Sequence, residues 1–128
     1  MHAVETLKTY YEALAHKHLD VVADCYDVPS KMITLAGIVN FGSRGAVKAA
    51  FEDVIKTWEQ QGISSKVGFD VEDFSITEVQ DNCVLIRNQL TNFNLNGNFH
   101  QTWECTYVMT KTDGQWKISV ATPNNKAT

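Results

Sequence analysis

The fold is decided by residues 84–120, VLIRNQLTNFNLNGNFHQTWECTYVMTKTDGQWKISV. Apolar and polar residues alternate along this stretch, and the dipeptides Asn96-Gly97 and Asp113-Gly114 divide it into three strands. Two-residue turns of this composition join antiparallel strands and define which residues pair. Because successive side chains of a strand point to opposite faces, the pairing also defines the composition of each face of the sheet.

One predicted face is apolar with polar groups embedded in it. It holds Val84, Ile86, Asn88, Leu90, Asn92, Gln101, Trp103, Cys105, Tyr107, Met109, Trp116, Ile118 and Val120. A purely structural core rarely carries several amides and a hydroxyl, because each costs about 1–3 kcal/mol when it is buried without a partner. We interpret this face as the wall of a small-molecule pocket. A set of mutually hydrogen-bonded core amides is the alternative.

The opposite face mixes polar and apolar residues. It carries Leu85, Arg87, Gln89, Thr91 and Phe93 against His100, Thr102, Glu104, Thr106 and Val108. This composition is too mixed for a core and too apolar at its ends for a simple solvated surface. We therefore expect a homodimer through the outer sheet face. Glu104 should lie opposite Gln89 and near Arg87, where it would form a surface pair.

The composition excludes several classes of function. The chain has 128 residues, of which 44% are hydrophobic and 20% charged, as expected for one soluble globular domain over residues 1–128. No apolar run approaches the roughly 18 residues that span a bilayer, so we expect no membrane segment. The formal charge is -4 and the basic residues are scattered, which argues against nucleic acid binding.

The cysteines and histidines show no recognisable site. Cys25, Cys83 and Cys105 are odd in number and widely spaced, which is typical of reduced thiols. The four histidines are dispersed, and we expect no metal and no cofactor. The segment Met1–Glu5 has no basic region followed by an apolar one, so a cytoplasmic location is expected.

Three helices are predicted ahead of this sheet. Apolar residues at helical spacing predict the first over Val4–Ala15 and a second over Leu19–Tyr26. Pro29 should end the second helix, because the residue before a proline disfavours the helical conformation. Ser43 is a suitable N-cap for the third helix, and Gly62 is a suitable C-terminal stop.

Further strands flank the third helix. Lys31–Leu35 and Ile38–Phe41 predict a short hairpin, and Lys66–Val79 predicts a strand. Phe74 is out of phase with the first half of that strand, so we expect a bulge near Asp73. Such a bulge could aim Asp73 inward as a general base. An ordinary exposed carboxylate is the alternative.

This order of elements predicts the architecture. Helices that precede a largely antiparallel sheet indicate the α+β class, with the helices covering one sheet face. Long strands would have to curl around the long helix. We expect a cone-shaped, curved, mostly antiparallel sheet wrapped around the N-terminal helices, with an internal pocket.

Four segments resemble a known superfamily. They are YYEAL at 10–14, Leu19–Tyr26, GSRGAV at 42–47 and DGQWKI at 113–118. Their order and spacing are similar to those of the nuclear transport factor two-like superfamily of cystatin-like cone-shaped barrels, which includes SnoaL-like polyketide cyclases and ketosteroid isomerases. The resemblance implies the fold and an internal pocket.

The resemblance does not carry over the isomerase chemistry. Tyr10 falls at the position of the tyrosine that stabilises the oxyanion, but the position of the catalytic base falls on Thr34 or a close neighbour, and no carboxylate lies between Ser30 and Phe41. The position of the second, protonated aspartate falls within Cys105–Tyr107, which holds no carboxylate. A threonine cannot remove a carbon-bound proton near neutral pH. We therefore expect the pocket without the familiar isomerase reaction.

The predicted ligand is a small apolar metabolite that is carbonyl-bearing or cyclic. Tyr10 or Tyr107 could polarise its carbonyl in an isomerase, cyclase or dehydratase, with Asp73 as a candidate base. The alternative is a non-catalytic module for ligand binding or dimerisation. The predicted pocket residues are Tyr10, Leu14, Thr34, Trp58, Asn88, Leu90, Asn92, Gln101, Trp103, Cys105 and Tyr107.

Overall fold

The structure is a computed structural model that describes residues 2–125. The helices are α1 (His2–Ala15), α2 (Leu19–Asp24) and α3 (Arg44–Gln60). The strands are β1 (Tyr26–Thr34), β2 (Gly37–Phe41), β3 (Ile63–Gly68), β4 (Ser75–Gln80), β5 (Cys83–Asn94), β6 (Phe99–Thr112) and β7 (Gln115–Asn125). Among the described helices, none is long and apolar enough to cross a membrane.

The strands form one curved, open sheet in the order β2-β1-β7-β6-β5-β3, and β4 also pairs with β5. Strands β1 and β7 are parallel, and the other neighbours are antiparallel. The buried core joins the apolar faces of the helices to the inward side chains of β5, β6 and β7. The predicted α+β class, with helices covering one face of a curved and mostly antiparallel sheet, is confirmed.

The first and third helices agree with the prediction. Ser43 precedes α3, and its hydroxyl accepts a hydrogen bond from the backbone amide of Ala46 at 3.1 Å. This bond satisfies one of the amide groups that a helix leaves unpaired at its N-terminus. Phe51 and Ile55 are buried along the inward face of α3. Gly62 follows the helix with φ +76°, a conformation that favours glycine.

The predicted second helix was too long. The observed helix α2 ends at Asp24, and Tyr26 begins β1, a strand that includes Pro29. The backbone amide of Ile118 donates to the carbonyl oxygen of Cys25 at 2.8 Å, and Tyr26 pairs with Ile118. Pairing with β7 therefore overrides the helical spacing of the apolar residues. The predicted hairpin that follows is confirmed, since Thr34 of β1 pairs with Gly37 of β2.

The predicted single strand over 66–79 was also wrong. The chain forms β3, a short 3-10 turn at Val71–Asp73, and then β4. The carboxylate of Asp70 caps this turn by accepting a hydrogen bond from the amide of Glu72 at 3.0 Å. Strands β3 and β4 pair with different parts of β5. The turn, and not a bulge, accounts for the change of phase that buries Phe74.

The turn between β5 and β6 has three residues, 95–97, where two were predicted. The amide of Asn94 donates to the carbonyl oxygen of Asn98 at 2.8 Å. A bulge at His100 then adds one residue to β6, so that Asn92 still pairs with Gln101. The longer turn and the bulge cancel, and the predicted register of the central hairpin is confirmed. His100 does not take its predicted place opposite Phe93, which pairs with Phe99.

The second predicted turn is confirmed, but a bulge follows it. Asp113 and Gly114 have φ of 53° and 78°, as a two-residue turn between antiparallel strands requires. The register shifts after Ile118, so Val120 pairs with Val108 on the outer face. The prediction that Val120 lies on the inner face was wrong. Ala121 pairs with Tyr107 in its place and is 1% exposed.

Candidate ligand-binding cavity

A cavity of about 380 Å³ lies between the inner sheet face, α1, α3 and the hairpin of β1 and β2. Residues of the predicted pocket that line it are Tyr10, Leu14, Thr34, Trp58, Leu90, Asn92, Trp103, Cys105 and Tyr107. The inner face is thus one wall of the cavity, and the helices form the opposite wall. The sheet residues of this lining, Leu90, Asn92, Trp103, Cys105 and Tyr107, lie on one face of β5 and β6, as alternation along the two strands predicted.

Two predicted pocket residues do not line the cavity. Asn88 is 2% exposed and lies behind the wall, where its amide bonds to the hydroxyl of Tyr11. Gln101 is half-buried near the start of β6, outside the lining. Both residues share the predicted face, but alternation does not specify which part of a face borders empty space.

Several lining residues were not predicted. They are Met32, Leu35, Ala36, Phe51, Val54, Val67 and Pro123. Phe51 and Val54 lie on the apolar face of α3, so helical periodicity could have identified them. The residues of the β1–β2 hairpin could not have been found in this way, because their contribution depends on where the hairpin crosses the mouth of the cavity. Leu35, at its tip, remains 88% exposed.

Tyrosine hydroxyl groups form two hydrogen-bonded pairs beside the cavity. Tyr26 donates to the hydroxyl of Tyr10 at 3.2 Å, and Tyr11 donates to the hydroxyl of Tyr107 at 2.7 Å. Tyr10 and Tyr107 line the cavity, whereas their partners do not. A hydroxyl that accepts one hydrogen bond keeps its own proton for another acceptor. Each lining tyrosine can therefore donate to a ligand.

Asn88 extends one of these pairs. Its Nδ2 donates to the Tyr11 hydroxyl at 3.1 Å. The single proton of that hydroxyl has two acceptors within reach, Tyr107 at 2.7 Å and Asn88 Oδ1 at 3.3 Å, and the shorter bond gives a chain of donors from Asn88 through Tyr11 to Tyr107. Hydrogen bonds in such a chain polarise one another and strengthen the terminal donor. Tyr11 was predicted only as an apolar residue of α1. The partner that gives it a polar role lies 96 positions away in the chain.

Burial keeps these groups neutral. It raises the pKa of Tyr10, Tyr11, Tyr26 and Tyr107 well above the ordinary tyrosine value. Burial also raises the pKa of the Cys105 thiol to about 12. At neutral pH the cavity therefore presents neutral hydroxyl and thiol groups. They can donate hydrogen bonds, but neither a phenolate nor a thiolate is available as a base.

The described lining residues include no aspartate, glutamate, histidine, lysine or arginine. Asp73 is exposed on the 3-10 turn, so the prediction that a bulge aims it inward was wrong. His16 and His18 are exposed after α1, with their rings stacked 5.7 Å apart. Within residues 2–125, no cluster of three side chains suited to a metal ion occurs.

A second cavity of about 530 Å³ is larger but more open to solvent. It lies between α1, α2 and the turn that joins β6 to β7, and its lining includes Glu5, Asp24, Lys111 and Lys117. A site for an apolar molecule needs an enclosed and largely apolar wall. The smaller cavity meets that requirement better and is the candidate site.

Comparison with known proteins agrees with this architecture. The family model described as NTF2-like protein (DUF6841) matches residues 2–126. No curated protein sequence matches the chain.

Solved structures with the same fold share little sequence with the chain. A cystatin-like protein of unknown function from Nostoc punctiforme is 11% identical with a TM-score of 0.81, covering 99% of this chain and 90% of its own. An NTF-2 like protein of unknown function from Shewanella oneidensis is 19% identical with a TM-score of 0.73, and the match covers 94% of this chain and 93% of that protein. A ketosteroid isomerase-like protein from Erwinia carotovora atroseptica is 9% identical with a TM-score of 0.73, and the match covers 97% of this chain and 93% of that protein. At these identities the likeness concerns the fold alone. The family model matches nearly the whole chain, and the chain therefore belongs to the NTF2-like family.

Proposed function

We propose that the protein binds a small, neutral, largely apolar molecule with an acceptor oxygen, such as a cyclic ketone, in the cavity between the sheet and the helices. One observation carries the proposal: Tyr10 and Tyr107 line an apolar cavity, and the hydroxyl of each already accepts a hydrogen bond from a tyrosine behind it. Both hydroxyls therefore have a proton to donate. A carbonyl oxygen is the simplest group that accepts it.

Size and charge support a small and neutral ligand. A cavity of about 380 Å³ is near the lower end of the roughly 300–1,000 Å³ that is usual for small-molecule sites. The described lining carries no charged side chain, so a buried ionic group would have no counter-charge. Trp58 and Trp103 add flat apolar surfaces that suit a ring system.

The same site supports binding better than catalysis. Donors at Tyr10 and Tyr107 could stabilise a developing oxyanion, and losing such a donor typically lowers a rate by about 100- to 1000-fold. Proton transfer from carbon also needs a base, and the described lining residues supply none with a suitable pKa. An isomerase, cyclase or dehydratase with a base from outside the described lining is the alternative.

Calorimetric titration with a matched pair of molecules tests the proposal. The protein should bind the ketone 4-cyclohexylcyclohexanone more tightly than the hydrocarbon bicyclohexyl, because only the ketone can accept a hydrogen bond. Tyr10→Phe or Tyr107→Phe should reduce this preference by about tenfold, the factor that corresponds to one hydrogen bond. Val54→Ala is the control, since Val54 lines the cavity but its side chain has no hydrogen bond donor, so this change should weaken both molecules and leave the preference unchanged. Equal affinity for the two molecules would contradict the proposal.

Deuterium exchange separates binding from acid–base catalysis. A site without a base should not accelerate the exchange of the protons next to the carbonyl of the bound ketone. Exchange in heavy water can be followed by nuclear magnetic resonance, with and without the protein. Acceleration that is lost in Tyr10→Phe would favour the enzyme.

We further propose a homodimer that forms through the outer sheet face. The described core contains the inward residues of β5 and β6 but none of their outward ones. Leu85 and Val108 pair with each other on that face, and both are half-buried within the single chain. A second copy would cover such a face.

We also propose a cytoplasmic location. The unpaired cysteines, of which Cys25 and Cys105 are buried, support a reducing compartment.

A further inference from the structure

Two N–H groups in the wall of the candidate cavity have no hydrogen bond partner among the described residues. They are Nδ2 of Asn92 and Nε1 of Trp103, and both atoms are buried. Asn92 is 2% exposed, and both residues line the cavity. A buried donor without a partner loses its hydrogen bond to water and gains nothing in return. Neither nitrogen is exposed to the cavity as the side chains stand, so a ligand oxygen would accept from these groups once the Asn92 amide and the Trp103 ring turn towards it, and that contact would remove the cost.

The register places these two donors beside each other. Asn92 of β5 pairs with Gln101 of β6, and Trp103 follows two residues later on the same face. Diagonal neighbours of this kind have Cβ atoms no more than about 7–8 Å apart, a separation that long side chains can bridge. The amide and the indole can therefore converge on one oxygen atom or on one small polar group.

These donors are separate from the tyrosine hydroxyls. Trp103 and Tyr107 lie four residues apart on β6. At a rise of about 3.3 Å per residue, the backbone positions of these two residues lie about 13 Å apart along the strand. The cavity thus has one set of donors at Tyr10 and Tyr107 and another at Asn92 and Trp103, with apolar side chains such as Leu90 in its wall.

We propose that Asn92 and Trp103 form a second acceptor-binding position, so that the ligand is an elongated neutral molecule with an acceptor oxygen at each end. One oxygen accepts from Tyr10 or Tyr107, and the other accepts from Asn92 and Trp103. A carboxylate does not fit the second position, because no lysine, arginine or histidine occurs among the described lining residues. This inference rests on the proposed function, since it concerns the same cavity.

The test extends the ketone series by one carbonyl group. The probe is bicyclohexyl-4,4′-dione, which has a carbonyl at each end and no carbon–carbon double bond to which the Cys105 thiol could add. We expect the wild-type protein to bind this dione about tenfold more tightly than 4-cyclohexylcyclohexanone, because one more oxygen accepts a hydrogen bond. Titration calorimetry gives the ratio of the two affinities directly.

Two variants remove the second position, and one variant serves as the control. Asn92→Leu and Trp103→Phe should each lower the preference for the dione over the monoketone towards equal affinity. Trp58→Phe also removes an indole from the cavity lining, but its N–H is not among the unpartnered groups. It should weaken both ketones to the same extent and leave the ratio unchanged. Because Asn92→Leu keeps the number and branching of the side-chain heavy atoms, it also covers the case in which Trp103→Phe fails to fold.

The outcomes distinguish this inference from the proposed function. If the wild type binds the dione and the monoketone equally, and both more tightly than bicyclohexyl, the second position is refuted while the proposed function stands. If neither ketone binds more tightly than the hydrocarbon, both fail. A crystal structure of the dione complex should place one carbonyl oxygen within hydrogen bond distance of Asn92 Nδ2 and Trp103 Nε1. An ordered water on both donors in that complex would overturn the inference.

Discussion

The hydroxyl of Tyr11 on α1 donates a 2.7 Å hydrogen bond to the hydroxyl of Tyr107 on β6. This contact joins the helical layer to the centre of the sheet and positions a donor on the wall of the cavity. The rings of these residues lie 6.3 Å apart in an edge-to-face arrangement, which restricts their orientation. The same contact thus stabilises the core and orients Tyr107 in the wall of the cavity.

Asn88 and Asn92 give a matched pair of stability predictions. Both asparagines are 2% exposed on β5, but only Asn88 has a hydrogen bond partner for its side chain among the described residues. Asn88→Leu should lower the free energy of unfolding by about 1–3 kcal/mol, because the buried Tyr11 hydroxyl loses the group that donates to it, while its bond to Tyr107 remains. Asn92→Leu should leave it unchanged or raise it, since an unpartnered donor is removed. Urea denaturation of both variants provides the measurement. An equal loss of stability would mean that Asn92 has a partner in solution.

Alkaline pH should unfold the protein in a step that ionises its tyrosines together. The chain has four tyrosines, and burial raises the pKa of each above the ordinary value of 10.0. The unfolded chain therefore releases these protons at lower pH than the folded chain does. Their contribution to stability is complete below about pH 10 and is lost as the pH rises further.

Tyrosinate absorbance and circular dichroism, recorded together during an alkaline titration, check this prediction. The absorbance should rise in one cooperative step that coincides with the loss of secondary structure. Tyr26→Phe should lower the amplitude of that step in proportion to the tyrosine removed. A gradual rise in absorbance near pH 10 with unchanged circular dichroism would show that the hydroxyls reach solvent in the folded protein.

The proposed dimer can be tested with a matched pair of charge substitutions. Val108→Lys places a charge on the outer face of β6, where desolvation would oppose association, so this variant should sediment as a 14.4 kDa monomer. Val39→Lys places the same charge on β2, away from the outer face of β5 and β6. Val39 is 42% exposed and pairs with the cavity-lining Met32, so the new charge stays in solvent whether or not the dimer forms. This control should retain the mass of the wild type. A monomeric wild-type protein at micromolar concentration would contradict the dimer.

Local sequence patterns predicted much of the sheet and two of the helices for identifiable reasons. Alternation places Asn92 and Trp103 on one face, because a strand has a side-chain period of two whatever surrounds it. Asp113-Gly114 predicts its turn because both positions need positive φ. Ser43 predicts the start of α3 because its hydroxyl bonds to an amide only three residues away. Each of these features depends on neighbours in the chain.

The features that the sequence did not reveal depend on distant partners. Tyr26 has helical spacing but lies in a strand, since pairing with β7 satisfies its backbone. The bulge at Ser119 exchanges Val120 for Ala121 on the inner face, and no local signal marks it.

The sequence by itself therefore determined the α+β class, the register of the central hairpin and the apolar wall with its embedded amides. Only the tertiary structure decided which polar groups on that wall have partners. Asn88 and Asn92 have the same residue type, strand and face, yet one bonds to Tyr11 and the other has an unpartnered N–H group. The difference arises because a hydrogen bond depends on the position of α1 against the sheet, and that position is set by the packing of the whole core.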